Sequence, residues 1–194
     1  MKRVAVPLAI LIAAAALAGC AAPASQPPTV GPVFTLWSPA FRDGDELRQP
    51  HAGNVPGNPN CVGENVSPPL AWTNVPVGTK SFAMLVYDQG GRNGLGVVHW
   101  VAYNIPATVS AFAEKEISAP SPLYTGGKST LNLPNYMGPC PPVNTGKHNY
   151  VFTVIATDVE PNTLPPGLTM PELMDRLNGR AKGSSSLVLR YGRP

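Results

Sequence analysis

Few side chains in this sequence are suited to acid–base, metal-binding or nucleophilic chemistry, because the 194 residues include three histidines and three cysteines. Asp88 ends an apolar run, and His99 and His148 each begin a run rich in aromatic and β-branched residues. An aspartate and an imidazole could act as an acid–base pair on an ester or a phosphate, and all three groups could hold a divalent ion. Their spacing along the chain is diagnostic of neither. A hydrolase would lack an evident nucleophile, because there is no G-x-S-x-G turn and residues 183–186 suggest a turn that enters a strand.

The composition limits both the partners and the fold class. A formal net charge of +3, with 13% charged residues and no basic cluster, falls far short of the charge density that nucleic acid requires. Nucleic acid is therefore not an expected partner. The 24 prolines and 19 glycines disfavour long helices and favour many short strands joined by turns, which predicts an all-β fold.

The N-terminal stretch has the layout of a cleaved export signal. Lys2 and Arg3 precede an apolar run over residues 4–17, and small residues lead to Cys20. The run is shorter than the roughly 20 residues that span a bilayer, so residues 1–19 are predicted to be a signal peptide. The sequence Leu-Ala-Gly before Cys20 resembles the bacterial lipobox, whose cysteine receives lipid and becomes the mature N-terminus. An ordinary secretory signal with an incidental cysteine is the alternative.

The lipobox interpretation predicts a membrane-anchored lipoprotein on the extracytoplasmic side of the cell envelope. The acyl chains on Cys20 would insert into the membrane. Residues 21–32 have no apolar period and little bulk to bury, so residues 20–32 are predicted to be the lipidated cysteine and a flexible tether. Residues 33–194 then form one domain of ordinary size.

Cys61 and Cys140 remain once Cys20 is assigned to lipid. An even pair of cysteines in a compartment that permits oxidation predicts one disulfide. The bridge would close a loop of roughly 80 residues and stabilise the fold by about 4 kcal/mol through restriction of the unfolded chain. Two buried thiols are the alternative, and a catalytic thiol is a weaker one, although His148 lies close to Cys140 in sequence.

The hydrophobic pattern predicts a β-sandwich with small helical additions. Residues 81–87 are apolar on both alternate faces, as expected of a central strand that is covered on either side. Further strands are predicted over residues 33–37, 97–103, 150–157 and 187–191. A short amphipathic helix is predicted to begin at Thr169 and Pro171 and to end at Gly179.

The remaining histidine and the three tryptophans are assigned structural positions. His51 lies among proline, glycine and asparagine, which predicts an exposed loop histidine. Trp37, Trp72 and Trp100 accompany apolar strand segments and are predicted to belong to the core.

Several motifs in a fixed order resemble the phosphatidylethanolamine-binding protein family, in its bacterial Raf-kinase-inhibitor-like branch. The resemblance spans essentially the whole mature domain, over residues 38–44 (SPAFRDG), 61–72 (CVGENVSPPLAW), 75–82, 99–106 (HWVAYNIP), 136–142 (YMGPCPP) and 148–152 (HNYVF). It implies a Greek-key antiparallel β-sandwich with short peripheral helices. It also implies a small surface pocket at strand ends, which in relatives holds phosphate, acetate or phosphorylated headgroups.

The resemblance places four side chains in that pocket: Asp88, His99, His148 and Tyr150. Pro139, Pro141 and Pro142 around Cys140 are expected to shape another wall through their fixed backbone angles, with structural rigidity as their main role. A carboxylate that accepts from one ring nitrogen turns the rest of the imidazole toward a ligand, which suits a small anion. Because a protonated imidazole makes charge-assisted hydrogen bonds, we expect tighter binding below about pH 6.5. No cofactor, metal or catalytic residue is implied.

The sequence departs from the family at one wall of the pocket. Relatives have Asp-Pro-Asp-Ala-Pro where this chain has Asp88-Gln-Gly-Gly-Arg92. The loss of both prolines and one carboxylate, with two glycines gained, predicts a more mobile and less negative wall. Arg92 or Lys147 could supply a compensating cation for phosphate, although a long basic side chain beside a loop is commonly just solvated.

The resulting prediction is a cell-envelope lipoprotein that binds a small anion or a phosphorylated headgroup and is not an enzyme. The family resemblance adds regulation of a protein partner and a homodimer as expectations, and it names no partner. A protein-interaction or inhibitor module that needs no ligand is the alternative. A hydrolase built on Asp88 and a histidine, or a metal site, is less favoured.

Overall fold

The computed structural model describes residues 31–194, of which residues 32–194 form one compact unit. The predicted signal peptide, the lipidated Cys20 and nearly all of the predicted tether lie outside the described residues. Within residues 31–194, no helix has the length and apolar character needed to cross a membrane.

Strands dominate the described chain, as the composition predicts. In chain order they are β1 (Thr35–Trp37), β2 (Leu70–Thr73), β3 (Ser81–Asp88), β4 (Val97–Pro106), β5 (Ala111–Phe112), β6 (Thr125–Gly126), β7 (His148–Thr157) and β8 (Ala181–Tyr191). They form a small sheet of order β1-β2-β5 and a large sheet of order β6-β4-β3-β7-β8. Every pair of neighbouring strands is antiparallel, so the all-β prediction is confirmed.

The main core lies between the two sheets. Leu36, Trp72 and Phe112 from the small sheet join Phe82 and Val86 from the large one in a single buried cluster. The ring of Trp72 meets the ring of Phe82 edge-on at 5.3 Å, a geometry that suits aromatic pairs. Aromatic and aliphatic side chains from alternate strand positions therefore join the sheets.

A second core covers the other face of the large sheet. Leu85 and Tyr103 on that face pack with Leu173 and Leu177 of helix α1 (Met170–Leu177). The helix begins as predicted, because Thr169 accepts from the Glu172 backbone and the Glu172 side chain accepts from the Thr169 backbone. With cores on both faces, β3 is the central buried strand that the sequence predicts.

The prediction of a strand-entry turn at residues 183–186 is wrong, because β8 already begins at Ala181. These serines pair with β7 in regular register, and Ser186 Oγ lies 2.9 Å from Thr153 Oγ1. Serine favours turns, which is the basis of the prediction. On the edge strand β8, however, the hydroxyl groups of Ser185 and Ser186 make hydrogen bonds to the small sheet and to β7. Ser185 Oγ, for example, accepts from the Leu36 backbone of the small sheet at 2.8 Å.

Two aromatic positions also differ from the prediction. His51 is buried, with 3% of its surface exposed, because its Nδ1 donates to the Val66 carbonyl at 2.8 Å and its ring packs edge-on against Phe41. Trp37 is 43% exposed because it points away from the core at the outward-facing end of β1. Trp72 and Trp100 are buried as predicted.

Candidate functional site

Strand pairing brings the predicted acid and both predicted imidazoles to one edge of the large sheet. Asp88 is the last residue of β3, where it lies opposite Tyr150 on β7 and Val97 on β4. His148 is two positions from Tyr150, and His99 is two positions from Val97. The two histidines therefore flank the carboxylate on neighbouring strands, although each is far from the other in sequence.

His99 reaches this site through an irregularity in β4. Val86 pairs with Trp100 and Tyr87 pairs with Val98, so His99 is an extra residue without a partner position on β3. A β-bulge of this kind bends the strand and redirects a side chain, and bulges are common beside functional sites. Strand periodicity in the sequence contains no signal for it.

Asp88 and His148 form a hydrogen-bonded pair. His148 Nδ1 lies 2.7 Å from Asp88 Oδ2, and because a carboxylate oxygen accepts, Nδ1 carries the proton. Asp88 is 3% exposed, and its other oxygen, Oδ1, has no hydrogen-bond partner among the described residues. Burial of a carboxylate that has a single hydrogen-bond partner costs free energy. Binding of a ligand that donates a hydrogen bond to Oδ1, or a protonated neighbour that does so, would offset this cost.

His99 is held by the backbone of the next wall. Its Nδ1 donates to the Met137 carbonyl at 2.8 Å, so the neutral ring keeps a lone pair on Nε2. Burial lowers the pKa of His99 below its ordinary 6.5, and this effect outweighs the hydrogen bond to Met137 and the charge of Asp88, which act to raise it. The ring meets Tyr150 edge-on at 5.1 Å.

Tyr150 supplies a neutral hydroxyl. Burial raises the pKa of its phenol well above the ordinary value, and the negative charge of Asp88 raises it further. The hydroxyl thus keeps its proton and can donate to an acceptor on a ligand.

These four side chains line a cavity of about 300 Å³. Most of the other lining residues are apolar, and they are Cys61, Gly91, Val97, Leu131, Met137, Cys140, Pro141 and Pro142, with Asn58, Arg92 and Thr130 as polar members. The sequence analysis did not single out Asn58, Val97, Thr130, Leu131 or Met137. The residues around Thr130 lie between elements and match no motif, so only the fold reveals their place.

Pro139 is not among the residues that line this cavity. It is buried behind the wall, where its carbonyl accepts from the Gly53 backbone at 2.8 Å. Pro141 and Pro142, which were expected in the same wall, do line the cavity. Pro139 therefore helps to position the segment through its backbone.

A disulfide between Cys61 and Cys140 forms part of the wall, with 4.6 Å between the Cα atoms. The backbones behind it lie very close together. A Cβ atom at Gly63 would stand 2.2 Å from the Ala52 carbonyl oxygen, and one at Gly138 would stand 2.2 Å from the His51 carbonyl oxygen. Only glycine permits these approaches, so this wall is tightly packed.

Another part of the lining, Gly91 and Arg92, comes from the loop over residues 89–96, where the chain departs from the family pattern. Arg92 and Asn93 both adopt left-handed backbone conformations, with φ of 55° and 58°. Asparagine tolerates this region, but an arginine there is strained. Arg92 lines the cavity, and among the described residues its side chain has no ion pair or hydrogen-bond partner.

Lys147 occupies a different place from Arg92. It pairs with Glu46 on the surface and lines a separate polar depression with Gln89, Gly90 and His148. Of the two cations considered from the sequence, Arg92 is therefore the one that faces the cavity. No cluster of three metal-binding side chains occurs in the part of the chain that the structure covers.

Comparison with known proteins agrees with this architecture. The model of the family described as "Phosphatidylethanolamine-binding protein" matches residues 37–192. A UPF0098 protein of Aquifex aeolicus is 32% identical over 166 residues, which cover 84% of this chain and 91% of the relative. The Mycobacterium tuberculosis protein called "Putative lipoprotein LppC" is 34% identical over 170 residues, covering 86% of this chain and 73% of the relative.

A solved structure matches the fold as well. The crystal structure of Escherichia coli YbcL, described as a new member of the mammalian PEBP family, superposes with a TM-score of 0.73 at 30% identity. The match covers 83% of this chain and 99% of that one. The chain therefore belongs to the phosphatidylethanolamine-binding protein family, which confirms the family predicted from the motifs. The relatives include small proteins of bacteria and, in the LppC case, one called a lipoprotein.

Proposed function

We propose that this protein binds a small phosphorylated anion, such as a phosphoethanolamine headgroup, in the cavity at the end of β3, without catalysing its reaction. The observation that carries the proposal is the Asp88–His148 pair, at 2.7 Å, beside the buried His99 and Tyr150 in one cavity. A mostly apolar cavity with a few convergent polar groups is the usual form of a small-molecule site. Arg92 adds a cation at the same cavity.

The hydrogen-bonding pattern makes binding depend on protons. Both histidines use Nδ1 to donate within the protein, so each neutral ring can only accept at Nε2. An anion must then arrive with its own proton, as a phosphate monoester does near its second pKa of about 6, or protonate a ring on binding. Because burial lowers the pKa of His99, we expect affinity to keep rising below pH 6.5 as the solution is acidified.

Calorimetric titration of the full chain with phosphoethanolamine tests this proposal. We expect saturable binding at acidic pH that weakens at least tenfold in His99→Ala and His148→Ala, the loss of one charge-assisted hydrogen bond being worth about that factor. Titration in two buffers of different ionisation enthalpy should reveal net proton uptake. His51→Ala is the control, because His51 is buried outside the cavity. This substitution should lower the stability of the fold and leave the affinity of the folded protein unchanged.

The absence of binding at millimolar ligand in the folded protein would refute the proposal. It would favour the alternative of a protein-interaction or inhibitor module that needs no ligand. A hydrolase finds less support, because Cys61 and Cys140 are bonded to each other and no serine is among the residues that line the described cavity. Turnover of a phosphoester during the titration would overturn the non-catalytic part.

We also propose that lipid on Cys20 holds the protein on the extracytoplasmic side of the cell envelope. The export-signal pattern ending at Cys20 supports this, and a relative that is 34% identical is called "Putative lipoprotein LppC". Mass spectrometry of the mature N-terminus would show a lipid-modified cysteine. An unmodified N-terminus elsewhere in the chain would refute the anchor.

A further inference from the structure

The outward side of the small sheet carries no charge. Along β1 and β2 the side chains alternate, so that one set fills the core and the other faces away from it. The register places Trp37 beside Ala71, Ala71 beside Ala111, and Thr35 beside Thr73. We call this surface, together with the two valines that adjoin it along β1 and β2, the Trp37 face; its members are Val33, Thr35, Trp37, Ala71, Thr73, Val75 and Ala111.

Large apolar side chains of the Trp37 face are open to solvent. Val33 is 64% exposed, Trp37 is 43% exposed and Val75 is 39% exposed. Val33 and Val75 lie at the same end, where the Asn74 side chain donates to the Val33 carbonyl at 3.0 Å. The large sheet has its outward face covered by α1, whereas Thr35, Thr73 and Ala111 on the outward side of the small sheet are exposed. Large apolar side chains grouped on one exposed side of a sheet indicate an interaction site.

The chain itself indicates what covers this face. The predicted tether over residues 20–32 ends directly before Val33, so the N-terminal segment joins the domain at the Trp37 face. Cys20 lies 13 positions before Val33. A flexible tether of that length has a root-mean-square span of about 20 Å. A lipid at Cys20 would thus hold this face nearer to the bilayer than the other surfaces of the domain.

We propose that the Trp37 face docks on the lipid bilayer in which the Cys20 lipid is inserted. The inference rests on the proposed lipid anchor and is independent of ligand binding in the cavity. Tryptophan favours the boundary between acyl chains and headgroups, where its ring is buried and its N–H stays hydrated. The valines add apolar area, and because no member of the Trp37 face is charged, burial of these side chains in lipid removes no charge from water.

The three tryptophans of the chain make this contact measurable. Trp72 and Trp100 are 2% and 0% exposed, so Trp37 is the one that a lipid could reach. The experiment uses the full lipidated chain in phosphatidylcholine vesicles with and without bromine atoms near the top of the acyl chains. Bromine quenches tryptophan emission only at short range. We expect quenching in wild type that is absent in Trp37→Phe and that persists in high salt, because no charge mediates the contact.

A charge placed within the face should prevent docking. Val75→Glu is expected to abolish the quenching while the emission of the buried tryptophans shows an intact fold, since a carboxylate is costly to bury in lipid. Val143→Glu is the matched control, because Val143 is a similarly exposed valine in the loop that follows Pro142 of the cavity. It should leave quenching unchanged.

Other results would overturn the proposal. Wild-type emission that is insensitive to bromine, or equal quenching in Trp37→Phe, means that the face does not meet lipid. Burial of Trp37 in solution with association into dimers means that a second copy covers the face. An N-terminus without lipid refutes the proposed anchor and this docking together, whereas retained phosphoethanolamine binding would show that the proposed ligand function stands separately.

Discussion

At the scale of single residues, the cavity depends on groups whose roles are set by their hydrogen bonds and backbone. The Asp88–His148 pair and the His99–Met137 bond orient both imidazoles before any ligand arrives. Preorganised donors and acceptors lower the cost of ordering the site on binding. Arg92 instead stores strain in its backbone while its side chain remains unpaired in the described part of the chain.

Replacement of Arg92 should separate stability from binding. Arg92→Gly relieves a left-handed conformation that costs a non-glycine residue about 1 kcal/mol, so we expect the free energy of unfolding to stay level or rise slightly. Affinity for phosphoethanolamine should fall about tenfold through loss of a charge-assisted contact. Urea unfolding and calorimetry measure the two effects. Lys147→Ala is the control and should leave affinity unchanged, because Lys147 pairs with Glu46.

The buried imidazole of His99 should make stability depend on pH in a defined direction. Its pKa in the folded protein is lower than 6.5, mainly through burial, so between those two values the unfolded chain binds more protons than the folded one. The contribution of His99 to stability is therefore complete above pH 6.5 and is lost as the pH falls below it.

Unfolding by urea at several pH values between 7 and 5 would measure this loss. In His99→Gln the amide can still donate to the Met137 carbonyl but does not titrate. We expect a smaller fall in unfolding free energy in this variant than in wild type over that interval. An identical pH dependence would show that His99 is accessible to protons in the folded state.

At the scale of elements, the disulfide and the strand ends together build the site. The bridge joins residues 79 positions apart, and β2 through β6 all lie between its two ends. It therefore links the segment before the small sheet's second strand to the segment just before β7. Restriction of so long a loop stabilises mainly by reducing the freedom of the unfolded chain.

Removal of the bridge should be strongly destabilising. In the double variant Cys61→Ser, Cys140→Ser we expect the free energy of unfolding to fall by about 4 kcal/mol, from the loop-entropy relation. Urea unfolding of the variant and the oxidised wild type gives the difference. A change below about 1 kcal/mol would show that the unfolded chain is already restricted in this region or that the bridge does not form.

The positions of the long strands and of α1 can be predicted from local sequence patterns. The site, in contrast, depends on irregular backbone features that have no such pattern. The apolar pattern of β3 and the capping residues of α1 identify both elements directly. The bulge at His99 and the burial of His51 depend on contacts between distant segments, which a single sequence does not reveal. The family resemblance, not periodicity, pointed to His99 as a pocket residue.

At the scale of the whole molecule, the large sheet carries the ligand cavity at the end of β3, and the small sheet carries the Trp37 face. The cavity lies at one end of the central strand β3, beyond Asp88, whereas Val75 and Val77 lie in the turn before its other end at Ser81. An eight-residue strand spans roughly 25 Å. The prediction for Trp37 was wrong because the sequence analysis assigned apolar strand residues to the core. The small sheet buries only one of its faces, and Trp37 lies on the other.

The close packing behind the disulfide bears on how ligand preference could diverge or be engineered. At Gly63 and Gly138 even a methyl group would collide with a backbone carbonyl, so mutations there damage the fold before they alter recognition. Arg92, by contrast, lines the cavity and has no ion pair or hydrogen-bond partner among the described residues. Useful variation is thus concentrated at one position: substitutions of Arg92 can change the charge and size of the accepted ligand while the wall that organises His99 stays unchanged.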